Sequence, residues 1–142
     1  MQSRFTLGKD ERLKKRKEIE AIFDSGESFS MYPFRVFYLA NAVSIQERII
    51  AHEKMQESCL LQFGVGVSKK QFKKAVDRNR IKRLVREAYR VQNAELKKIV
   101  EEKREQSLSL FILYVGKEMP EFSFVKEKVF AMLEKLAKKI SS

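Results

Sequence analysis

Between residues 59 and 91 the apolar pattern changes period once, and no other stretch constrains the fold as much. In CLLQFGVGVS (59–68), Phe63, Val65 and Val67 alternate with Gly64 and Gly66, the two-residue period of a strand. Glycines at alternate positions leave one strand face bare, so another backbone or a ligand can approach it closely. From about residue 71 to 91 the period becomes helical. Ile81, Leu84, Val85, Ala88 and Tyr89 fall at i, i+3, i+4, i+7 and i+8, a single core-facing stripe.

The flanks supply the other layers. Residues 10–24 read as a first helix, with Ile19, Ile22 and Phe23 at helical spacing and a stop at Ser25-Gly26. PFRVFYLA (33–40) reads as a strand with Pro33 at its entrance, where a strand tolerates proline. Residues 41–58 are more polar, and Ile45, Ile49 and Ile50 suggest a short helical insertion between strands. A further helical stretch is expected over 93–104, then a buried strand over 108–115. The last helix is expected from 124 to 140, capped by Ser123, with Val125, Val129, Met132, Leu133, Leu136, Ala137 and Ile140 as its stripe. Helix, strand, strand, helix, strand, helix predicts an α+β sandwich: a single domain over 1–142 with one mixed sheet. A chain this long buries roughly two-thirds of its unfolded surface, so it needs neither disulfide nor structural metal to fold.

Charge is the second constraint. Lys plus Arg number 30 against 19 Asp plus Glu, a net +11. Residues 1–18 are net +4, 19–68 net −3 and 91–142 net +2, whereas 69–90 alone carry ten basic and two acidic residues, net +8. Charge concentrated this way repels itself unless a polyanion neutralises it. Few acidic partners are available for i,i+4 pairing, so a purely structural salt-bridged face fits poorly.

On that helix Arg78, Lys82 and Arg86 run at i, i+4, i+8, with Asn79 and Arg83 in the neighbouring row. Arginine presents a planar fork of donors matched to phosphate, and an amide both donates and accepts. Twenty helical residues span ~30 Å, enough to follow several successive phosphates. A nucleic-acid-binding face is the reading these residues favour. The structural alternatives are an internal hydrogen bond for Asn79 and surface solubility for Arg78 and Arg83.

The segment FGVGVSKKQFKKAVDRNRIKRLVREAYR (63–90) closely resembles the RNR signature of the bacterial ribonuclease P protein subunit. The matching letters are Ala75-Val76, Arg78-Asn79, Lys82-Arg83 and Arg86-Glu87, preceded by V-S-K-K. Phe5, the Arg12-Leu13 pair, the aromatic strand and the closing helix agree, so the resemblance covers nearly the whole chain. It implies an α/β sandwich whose RNR helix sits in a left-handed βαβ crossover, against the usual hand. It also implies that the protein is not the catalyst. A large RNA subunit with bound Mg2+ removes the 5′ leader of precursor tRNA. The resemblance places Arg78, Asn79, Lys82, Arg83 and Arg86 on the catalytic RNA, with Lys69, Lys70 and Lys74 nearby. Phe23 and Phe37 match aromatics of a cleft for the single-stranded leader, where stacking tolerates any base. Ordinary core packing is the other reading of both. Ile19 departs from the pattern where the family often has phenylalanine; it fills space but stacks poorly.

Other classes fit less well. His52 is the only histidine and Cys59 the only cysteine, so neither a disulfide framework nor a multi-cysteine zinc site is available. Asp77 and Glu87 have no third acidic partner for a protein metal site. A helix-turn-helix DNA reader would need a helix where the 59–68 strand stands, so DNA is not expected as a partner. The N-terminus lacks the apolar core of a signal peptide, and no apolar run approaches the ~20 residues that span a bilayer. A cytoplasmic protein without a membrane partner or intrinsic cofactor is expected, with catalytic RNA and precursor tRNA as partners.

Overall fold

A computed structural model describes residues 16–42, 61–102 and 106–141. Chain order is α1 (Arg16–Ser25), β1 (Glu27–Met31), β2 (Phe34–Ala42), β3 (Leu61–Val67), α2 (Ala75–Arg90), α3 (Ala94–Glu102), β4 (Gln106–Tyr114) and α4 (Phe122–Ser141). The four strands form one mixed sheet in the order β1-β2-β4-β3. β1 and β4 run antiparallel to β2, while β3 and β4 are parallel neighbours. The segment joining β3 to β4 contains α2 and α3, so the basic helix lies inside a βαβ crossover.

Register separates the two faces of the sheet. Phe29, Val36, Ile112 and Val65 are successive partners across all four strands. They belong to the core face, with Phe34, Phe63, Leu110 and Tyr114. α2 packs on this face: the Phe63 and Tyr89 rings lie 3.9 Å apart and nearly parallel, at 4°. Such a pair adds about 0.5–1.5 kcal/mol beyond the area it buries. α4 closes the core with Val125, Val129, Met132 and Leu136, all fully buried. Gln92 Nε2 ties the two helices, donating to the Ala88 and Lys126 carbonyls at 3.0 Å each. The next register row, Ser28, Phe37, Phe111 and Gly64, points to the opposite face, which α1 partly covers.

Several expectations change. β1 was not anticipated, because ESFSM is short and polar; only Phe29 and Met31 turn inward, as befits an edge strand. The basic helix starts at Ala75, not 71, because Phe72 turns into the core and Lys74 holds extended backbone (φ −83°, ψ 130°) as the N-cap. Ser123 lies within the first turn of α4 rather than capping it; the Glu121 carbonyl accepts the first helical bond, from the Val125 N–H at 3.1 Å. Of the insertion expected over 41–58, residues 41 and 42 end β2, and the remainder lies outside the described residues. Phe5, Arg12-Leu13, His52, Cys59 and residues 10–15 of the first helix also lie outside them.

Candidate nucleic-acid interface

α2 turns Ile81, Val85, Ala88 and Tyr89 into the core, and at 100° per residue this sends Asn79, Arg83 and Arg86 to the opposite side. All three are exposed, as are Arg80 and the strongly exposed Val76 on the same side. Lys82 and Arg78 stand on the flanks of the core stripe and are half-buried. Asp77 in the first turn and Arg90 in the last complement the helix dipole. Glu87 pairs with Arg90, whose Nε donates at 3.0 Å. The hydrogen bond from Arg90 holds the Glu87 carboxyl below its ordinary range. Arg90 is thus partly neutralised within the helix, while Arg80 and Arg83 stand exposed on the outward side.

The stretch before α2 extends this surface. Lys69, Lys70, Lys73 and Lys74 are all exposed. Between them Phe72 is buried and its ring centroid lies 6.1 Å from that of Tyr114. The Ser68 carbonyl accepts the Phe72 N–H at 3.1 Å, and Ser68 Oγ accepts the Lys70 N–H at 3.2 Å. Arg78 Nη1 donates to the Phe72 and Lys73 carbonyls at 2.8 Å each. The lysines therefore project from a pinned loop.

A second surface lies on the opposite face of the sheet. Phe23 of α1 stands edge-on to Phe37 of β2 (4.7 Å between centroids, 81°) and to Phe111 of β4 (5.5 Å, 77°). Phe23 is 47% exposed, and Phe37, Phe111 and Ile19 are half-buried. The Arg35 guanidinium stands 5.7 Å from the Phe37 centroid, adding a cation beside the rings. Gly66 supplies room: a Cβ there would fall 2.9 Å from Cζ of Phe111. The bare face of β3 is thus occupied by an aromatic side chain of the neighbouring strand. A separate open groove of about 420 Å³, between Tyr32, Tyr114, Glu118 and Phe124, contains none of the expected site residues.

The arrangement is a basic helix and lysine loop on one side of the sheet and an aromatic platform on the other. A family model described as Ribonuclease P matches residues 7–141. The chain belongs to the ribonuclease P protein family. A ribonuclease P protein component of Porphyromonas gingivalis (strain W83) is 36% identical over 138 residues, covering 97% of this chain and 91% of the relative. One from Chlorobium phaeobacteroides is 31% identical over 137 residues, covering 92% and 88%. Among solved structures, the RNase P protein from Thermotoga maritima shares the fold with a TM-score of 0.62 at 24% identity, covering 88% of this chain and 96% of that one. The Staphylococcus aureus RNase P protein gives 0.61 at 20%, covering 90% and 95%.

The structure brings Asn79, Lys82, Arg83 and Arg86 to one helix beside Lys69, Lys70 and Lys74, and brings Phe23 and Phe37 into contact. Sequence reading missed Phe111, Arg35, Lys73, Arg80 and Val76 as members of these surfaces. Phe111 had a readable signal. It is the one aromatic out of phase with the inward Leu108, Leu110, Ile112 and Tyr114, on the face where β3 carries glycine.

Proposed function

We propose that this chain is the protein subunit of a ribonuclease P ribonucleoprotein, serving removal of the 5′ leader in tRNA maturation. In this reading α2 and its preceding loop bind the catalytic RNA through Asn79, Lys82, Arg83, Arg86, Lys69, Lys70 and Lys74, with Arg78 at the edge of that face. Ile19, Phe23, Phe37 and Phe111 meet the single-stranded leader of precursor tRNA, whose bases stack on aromatic edges and faces without a sequence requirement. The RNA performs the chemistry, and Mg2+ belongs to its active site. Among the described residues no group of three or more His, Cys, Asp or Glu side chains could hold a metal ion. Among the same residues no helix is long and apolar enough to cross a membrane, and a cytoplasmic ribonucleoprotein accords with that.

The observation that carries the reading is the outward face of α2, where Asn79, Arg83 and Arg86 stand exposed beside four exposed lysines. The test is reconstitution with a bacterial ribonuclease P RNA at low magnesium, assaying 5′ leader release. Cleavage should require the RNA, rise with added protein and fall with Arg83→Ala. Cleavage by the protein alone would overturn the division of labour. Tight, salt-sensitive RNA binding without any stimulation would reassign the chain to general RNA binding.

A further inference from the structure

We infer that Arg78 is a positioning residue for the RNA interface, acting by fixing the loop that presents Lys69, Lys70, Lys73 and Lys74. The inference rests on the proposed interface and gives Arg78 a different part in it from Arg83. Arg78 lies on the flank of α2 nearest the core, where a guanidinium can turn back along the preceding chain. Both Nη1 hydrogens are used there, one on the Phe72 carbonyl and one on the Lys73 carbonyl, at 2.8 Å each. Those carbonyls precede the helix and lie outside its hydrogen-bond ladder, so a side-chain donor can take them without competing with the helix.

The loop has two further anchors. Ser68 holds its start through the Phe72 and Lys70 N–H groups, and the Phe72 ring is buried at the edge of the core. Arg78 closes the end at which Lys73 and Lys74 stand, while its own N–H bonds the Lys74 carbonyl at 3.2 Å. Four like charges within six residues repel one another. Left alone they would spread the loop, and each would need ordering when RNA binds. A guanidinium bonded to two loop carbonyls holds them in place beforehand, although it adds a fifth positive charge. Charge attraction alone would give no reason to turn this arginine inward; geometry does.

The test combines a thermodynamic cycle with amide exchange. Arg78→Ala is made alone and in a background where Lys69, Lys70, Lys73 and Lys74 are all alanine, and affinity for the ribonuclease P RNA is measured well below the melting temperatures. Two hydrogen bonds from a charged donor make a loss of about tenfold reasonable for Arg78→Ala in the native background. In the lysine-free background the loss should shrink to about twofold or less, because nothing is left to position. Arg83→Ala, whose side chain faces outward, should combine additively with Arg78→Ala. In the free protein, the Phe72 amide should lose exchange protection in Arg78→Ala while the Val85 and Ala88 amides within α2 keep theirs. Equal losses in both backgrounds, or an unchanged Phe72 amide, would overturn the positioning role. If the lysine replacements, Asn79→Ala and Arg83→Ala all leave RNA affinity intact, the interface itself is misassigned and the inference falls with it.

Discussion

Two glycine-to-alanine substitutions, Gly26→Ala and Gly66→Ala, add the same methyl group against different obstacles. At Gly26 the new Cβ would lie 2.5 Å from the carbonyl oxygen of Ile22 and 2.5 Å from that of Tyr38. Both obstacles are backbone, one from the end of α1 and one from β2, so relief requires the helix and strand to separate. At Gly66 the nearest atom is Cζ of Phe111 at 2.9 Å, the far end of a half-buried ring that can swing. Neither glycine has positive φ, so alanine gains about 0.4–1 kcal/mol at both sites through the unfolded state. Overpacking that side chains cannot relieve costs about 3 kcal/mol or more, against about 1 kcal/mol where a ring can move. The net is a loss of about 2–3 kcal/mol for Gly26→Ala and close to zero for Gly66→Ala. At about 4 °C per kcal/mol for a chain of this size, Gly26→Ala should melt roughly 8–12 °C lower and Gly66→Ala within a few degrees of the parent. Both should narrow the difference in affinity between precursor and mature tRNA. Gly26→Ala shifts Phe23 with its helix, and Gly66→Ala displaces Phe111 in place. Equal melting shifts would refute the distinction between backbone and side-chain obstacles. An unchanged tRNA preference in Gly66→Ala would remove Phe111 from the leader surface.

Three other tests address separate links. Phe37→Ala should weaken precursor tRNA by about 1–3 kcal/mol while sparing mature tRNA, as expected for one lost stacking platform; equal losses for both in a binding titration would sink the leader assignment. Arg83→Ala should reduce the slope of log affinity against log salt for the catalytic RNA by about 0.7–0.9, the share of one phosphate contact, and a slope unaltered in a salt series would place Arg83 off the backbone. Burial raises the phenol pKa of Tyr38, helped by Glu27, and that of Tyr114, helped by Tyr32 and Glu118, both from an ordinary 10.0. Because the folded values exceed the unfolded one, the associated stability is fully present below about pH 10 and is lost as pH rises through the folded values. Tyr38 and Tyr114 should therefore ionise later than an ordinary phenol, and a tyrosinate titration of the folded protein in which all four tyrosines share one midpoint at 10.0 would contradict this.

What could be read from the chain followed from periodicity with large amplitude. Phe63, Val65 and Val67 alternate cleanly and are buried; Ile81, Val85, Ala88 and Tyr89 recur helically and are buried. β1 escaped because an edge strand needs only Phe29 and Met31 inside, and two residues make no period. The start of α2 at Ala75, four residues after the expected 71, is hidden in the sequence because a run of lysines carries no apolar phase, and only Phe72 marks where the chain still turns inward. Arg78 could not be distinguished from Arg83 by type or motif; an angular offset around α2, visible once the buried stripe is fixed, sends one back to the loop and the other outward. Phe111 shows the same limit in a strand. Its neighbours make the segment look uniformly buried; its phase between the inward Leu110 and Ile112 is the one sequence signal, and its pairing with Gly64 assigns it to the other face.

β3 links the two surfaces. On one side its Phe63 stacks on Tyr89 and so fixes the rotation of α2, which decides that Asn79 and Arg83 face outward. On the other side its Gly66 admits the Phe111 ring, which meets Phe23 from α1. The residue after its end, Ser68, begins the lysine loop, and the buried Phe72 returns that loop to Tyr114 on the adjacent strand. Helix, loop and aromatic platform are therefore referenced to one seven-residue strand. In the proposed function this matters because the two ligands are parts of one assembly. On that proposal, RNA held on α2 would set where the aromatic platform stands, and the platform would set where the leader passes. A flexible basic tail could supply the same charge, but it could not fix the distance between the two sites.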